Sequence, residues 1–199
     1  MLRIVPRLAL LLATAGSLLG IDLRYWIEPC TRPETACQKA DVQLAEWAVQ
    51  AWQAASDGKL HLEKTEQMSR ANIRLHWADS EQGQYGETRA FVADGMRGAE
   101  VFVRPDLRAM GPDIFAAASQ DALLRDTIVY LTCLHETGHA LGLSHTADFL
   151  DIMYFFGYDK GDVREYFGRY RRQLGGRPDI VKNSGISPQD RARLIQLLK

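Results

Sequence analysis

Apolar positions in residues 38–55 recur at helical spacing. Leu44, Ala48, Trp52 and Ala55 share one face, and Ser56-Asp57-Gly58 closes the run, so the segment predicts an amphipathic helix. Before it, residues 22–28 read as a strand that Pro29 ends. After it, "KLHLEKTE" and "ANIRLHWAD" alternate apolar and polar positions with period two, as half-buried strands do. Residues 82–98 are rich in glycine and read as turns around a strand at 88–92, while "AEVFVRP" at 99–105 reads as a strand stopped by Pro105. A long helix is expected over 120–141, with Ser119 or Asp121 as cap and Gly142 as terminator. A loop follows at 146–157. "DVREYFGRYRRQL" then sets Val163, Tyr166, Phe167, Tyr170 and Leu174 on one helical face, with Asp162 as cap. Its other face carries Arg164, Arg169, Arg171 and Arg172. "SPQDRARLIQLLK" is a last helix, with Ser187 at its N-cap and Pro188 at its first helical position. The order strand, helix, strands, helix, loop, helix predicts an α+β domain.

Composition narrows the class. The chain has 199 residues, 46% of them apolar and 25% charged, which suits one soluble globular domain with a sizeable core. The formal net charge is −1 and the basic residues are dispersed, so no nucleic-acid footprint is expected. A monomer is the expected state.

The first twenty residues stand apart. Arg3 and Arg7 precede an apolar run from Leu8, and Ala13-Thr14-Ala15 fits a small-x-small cleavage site, so residues 1–20 read as a signal peptide with Gly16 or a point near Gly20 as the mature start. The alternative is an uncleaved anchor, for which the run is short. The protein is therefore expected to be secreted or periplasmic, with residues 21–199 forming one domain and no other membrane segment. Export makes disulfides possible. Cys30 and Cys37 flank the polar "TRPETA" and are expected to pair, a small-loop bridge worth about 2–3 kcal/mol. Cys133, between apolar residues of the long helix, is expected to be a buried thiol.

The stretch "LHETGHALGLSH" at 134–145 carries the chemistry. His135 and His139 are four apart and share a helix face, so both imidazoles can reach one ion. Gly142 permits a sharp turn that returns His145 as a third ligand. Three imidazoles with an open fourth position suit a catalytic zinc, which brings the pKa of its water to about 7. Glu136 is then placed to take that water's proton as general base. The competing reading, surface histidines on a helix, fits poorly because His135 lies in the apolar run "IVYLTCLHETGHALGL".

HETGHALGLSH followed by Asp151-Ile152-Met153-Tyr154 resembles the metzincin zinc endopeptidases, with their long zinc motif and downstream methionine turn. Within that clan it is most similar to the matrixins. The first strand, the first long helix, "ANIRLHWAD" and the last helix also fall in matrixin order. The resemblance implies a twisted, mostly parallel sheet with an antiparallel edge strand above the cleft and three main helices. It implies a peptide or protein substrate, zinc on His135, His139 and His145, Glu136 as base, and Met153 as an apolar floor beneath the metal.

Some features depart from that pattern. No histidine lies between His76 and His135, so a second, structural zinc is not expected. No calcium loop stands out, and calcium stays open. The expected leader runs almost directly into the first strand, so a prodomain is not expected. Phe155 stands where some metzincins place a tyrosine ligand. An insertion at about 156–185 replaces a shorter specificity loop; its arginine face is either a solvated face or a cap on the cleft that binds acidic groups. His61 and His76 read as exposed. Strand 99–104 is either an edge that pairs with extended peptide or plain packing. The expected activity is that of a secreted zinc endopeptidase. The rivals are a non-catalytic binding module on the same scaffold, against which the intact Glu136 argues, and a zinc hydrolase of a non-peptide amide.

Overall fold

A computed structural model describes residues 20–79, 85–93, 95–157 and 161–199. The signal peptide expected at 1–20 lies outside them, apart from Gly20, as do short stretches of the glycine-rich segment and the insertion. The strands are β1 (Ile21–Ile27), β2 (Leu60–Lys64), β3 (Ile73–Trp77), β4 (Gly86–Ala93) and β5 (Met96–Val103). The helices are α1 (Lys39–Ala55), α2 (Pro112–Gln120), α3 (Ala122–Ala140), α4 (Val163–Arg171), α5 (Asp179–Lys182) and α6 (Pro188–Leu197).

The strands form one sheet in the order β2-β1-β3-β5-β4. All neighbours run parallel except β4, which pairs antiparallel to β5 with Thr88 opposite Val101. The period-two pattern explains the burial. Tyr25 and Ile27, then Ile73, Leu75 and Trp77, then Ala99, Val101 and Val103 are buried, and α1 and α3 pack on the sheet. Helix α1 contributes Leu44, Ala45, Ala48, Val49 and Trp52 to that core. At its start Asp41 is fully buried and takes a two-pronged ion pair from Arg125 of α3, the second prong at 2.7 Å. A buried carboxylate is tolerable only when its oxygens are answered in this way. The Cys30–Cys37 disulfide is present, with Cα atoms 5.4 Å apart, and Cys133 is a buried thiol.

The helix expected over 120–141 is present as α3, and a separate helix that the sequence reading did not include, α2, precedes it. Asp121 is a true cap, accepting from the backbone N–H groups of Leu123 and Leu124, whereas Ser119 lies inside α2 and donates to the carbonyl of Phe115. Helix α2 was signalled by Pro112 at its first position, where the missing N–H costs nothing. Of the two readings left open for strand 99–104, packing within the sheet holds: β5 sits between β3 and β4, and β4 is the outer strand. His76 is not exposed. It lies between Trp26 and Phe102, at 5.5 and 5.1 Å between ring centroids, while His61 is exposed as expected.

Candidate metal centre

Helix α3 brings His135, Glu136 and His139 to the lining of one cavity. Gly142 adopts a φ of 97°, a left-handed conformation open to glycine, and the chain turns there to deliver His145. The Nε2 atom of His145 lies 3.0 Å from that of His139 and 3.3 Å from that of His135. Nitrogens around a tetrahedral zinc at about 2.0–2.1 Å are themselves about 3.3 Å apart, so the donor set fits that ion. Among the described residues these three histidines form the one group of metal-type donors.

The two helical rings are fixed from behind. His135 Nδ1 lies 2.6 Å from the carbonyl of Ile152, and His139 Nδ1 lies 2.8 Å from that of Leu143. A carbonyl only accepts, so each Nδ1 carries the proton and each Nε2 turns a lone pair inward. Burial lowers the pKa of all three histidines, that of His135 to about 3, which keeps the rings neutral as ligands must be. The His145 ring stacks on Phe155 at 4.6 Å and 19°.

Glu136 is 6% exposed. Its Oε2 accepts a hydrogen bond from the Thr88 hydroxyl of β4 at 2.7 Å. Burial raises its pKa to about 7, opposed by that hydrogen bond. The methionine turn closes beneath the helix. Met153 is fully buried, and its sulfur lies so near Gly138 that a Cβ there would come within 2.5 Å of it. Thr146 and Phe155 bind backbone to backbone across the turn, as do Thr146 and Met153, holding the His145 segment to it.

A hydrogen-bond relay supports the turn from the C-terminal side. The Ile152 N–H donates to buried Asp190 of α6 at 2.7 Å, while the Ile152 carbonyl holds His135. Ser187 and Arg193 donate to Asp151, and the Tyr166 hydroxyl of α4 donates to the Asp151 carbonyl at 2.9 Å.

The Matrixin peptidase family model matches residues 21–165. The chain belongs to the matrixins. No curated protein matches it. Matrixins are zinc metalloproteases, and zinc is the ion that the triad of this matrixin suits by donor type and spacing.

The matrixin's cleft is a cavity of about 860 Å³ running from the triad past Leu131, Tyr154 and Phe156 to Val163, Tyr166 and Phe167 of α4. The apolar face of the insertion therefore forms a wall of the cleft. Its arginine face is largely engaged within the protein. Arg171 donates to Asp121 at 2.8 Å, Arg172 pairs with Glu165, and Arg169 lies over the Phe149 and Tyr166 rings. The structure brings together the histidines, Glu136, Gly142 and Met153 that the sequence singled out. Sequence reasoning missed Thr88, the stacking role of Phe155 and the Asp151–Asp190 support, because each depends on a contact between distant segments that no local spacing announces.

Proposed function

We propose that this matrixin is an exported endopeptidase that binds one zinc through His135, His139 and His145, with Glu136 as general base and residues 21–199 as its single catalytic domain. When bound, zinc supplies Lewis-acid polarisation of a peptide carbonyl and acidifies water at the site. The rest falls to the chain. His135 and His139 present lone pairs in fixed directions, through rings that backbone carbonyls hold in place. Glu136 takes a proton from the attacking water as the new C–O bond forms, then gives it to the amine as the C–N bond breaks. Strand β4 is the outer strand of the sheet beside the site, so an extended substrate would add to it through main-chain hydrogen bonds. The apolar cavity would take a large apolar side chain next to the scissile bond. Export is supported by the charged-then-apolar leader pattern and by the disulfide.

One observation carries the reading: three inward-facing imidazole nitrogens converge beside a buried carboxylate that belongs to none of them. A structural site has no use for that carboxylate. The test is digestion of a complex peptide mixture by the mature chain, with metal analysis and a chelator arm. Cleavage that is lost with chelator and restored by zinc, with one zinc per chain, is expected. Glu136→Ala should keep fold and metal but lose about 10²–10⁴ of turnover. Zinc retention without cleavage would favour a binding module instead, and turnover of non-peptide amides alone would favour the other rival.

A further inference from the structure

Glu136 has two oxygens, and the outer strand treats them differently. The Thr88 hydroxyl lies 2.7 Å from Oε2 and 3.0 Å from the backbone carbonyl of the same residue. A hydroxyl has one proton to give, and the shorter contact runs to the carboxylate. Two positions earlier on the same strand face, Gly86 lies against Oε1, where a Cβ would come within 2.5 Å. Oε1 accepts no hydrogen bond among the described residues, so one oxygen is held by a hydroxyl and the other faces a place where a side chain is missing.

We propose that Thr88 is a positioning residue for the reaction: by occupying Oε2 it fixes the carboxylate plane and leaves Oε1 as the oxygen that receives and returns the proton, with Gly86 keeping the space beside it clear. This rests on the endopeptidase reading above. The proton leaves the attacking water as its oxygen bonds to the carbonyl carbon, resides on Oε1, and passes to the amine nitrogen as the C–N bond breaks. A proton on Oε2 would face Thr88 and would need a rotation of the carboxyl group to reach the amine. Thr88 touches neither substrate nor metal in this scheme, and it sits on the strand that an extended substrate would join. The base is therefore oriented by the element that binds the peptide.

The variants are Thr88→Val, which keeps shape and strand preference but removes the hydroxyl, and Thr88→Ser, which restores it. With a fluorogenic peptide, Thr88→Val should lower kcat about 10- to 100-fold, the usual worth of a hydrogen bond to a charged group. KM and zinc content should hold. Thr88→Ser should return kcat to within about threefold of wild type, which a packing role for the methyl group would not produce. An unchanged kcat in Thr88→Val, a rise in KM alone, or failure of serine to rescue would each overturn the proposal. Crystal structures of both variants decide the contact without turnover. The Glu136 carboxylate should leave its place in Thr88→Val and keep it in Thr88→Ser, and an unmoved carboxylate in Thr88→Val overturns the proposal. A wild-type chain that cleaves no peptide would refute the endopeptidase reading while these structures still judge the Thr88 contact.

Discussion

Trp52 of α1 donates its indole N–H to the carbonyl oxygen of Leu134 at 2.8 Å, one residue before the first histidine of the triad. Both side chains are fully buried. The bond joins the two helices that cover the sheet and fixes the depth of the zinc-motif helix. Trp52→Phe removes the donor and leaves a void, so it should cost about 2–4 kcal/mol of stability. Denaturant unfolding of the metal-free chain would measure this, and a loss under about 1 kcal/mol would mean that the contact is incidental.

Phe155 should matter for metal rather than for fold. It is 43% exposed, yet its ring lies on that of His145. Removing a group that orients a ligand commonly weakens metal affinity about 10- to 100-fold. Phe155→Ala should therefore lose zinc to a competing chelator more readily, at unchanged melting temperature in the metal-free state. Equal affinity would show that the backbone ladder through Thr146 holds His145 unaided.

The arginines of α4 should act on stability and leave charge preference alone. Arg171→Glu would set a carboxylate beside Asp121, the cap of α3, and should lower the melting temperature. Cleavage of acidic and neutral peptides should fall in parallel. A selective loss on acidic peptides would instead make this face part of substrate recognition.

His76 should contribute acid sensitivity. Burial lowers its pKa from the ordinary 6.5, Glu28 and Glu100 oppose that, and Arg74 and Arg32 reinforce it. Below pH 6.5 the unfolded chain takes up a proton that the folded chain refuses. Stability should thus fall as pH drops below that value, until the folded ring protonates too. His76→Phe should flatten the slope by up to about 1.4 kcal/mol per pH unit. Parallel pH curves for the two proteins would remove His76 from the account.

Local pattern made much of this legible. Helix α3 was readable because its apolar positions, its Asp121 cap and Gly142 all agree on one element. The triad was readable because two of its histidines share a helix turn and the third follows a glycine. Strand order was not. "AEVFVRP" alternates as an edge strand would, and nothing in it says that β4 folds back outside it. The Thr88–Glu136 contact spans 48 residues and exists only because of that order. Alternation correctly placed His76 on the strand face away from the helices. It could not show that Trp26 and Phe102, on the two neighbouring strands, would close over the ring.

The family match ends at residue 165, but the site does not. Ile152 is held by its N–H to Asp190 and holds His135 by its carbonyl, so a ligand's orientation depends on a carboxylate 55 positions further along the chain. A recombinant protein cut at the edge of the match would retain the three histidines, Glu136 and Met153, and would still lack the brace that aims the first ring. For this chain, the contacts that orient the first histidine of the triad extend through the C-terminal helix.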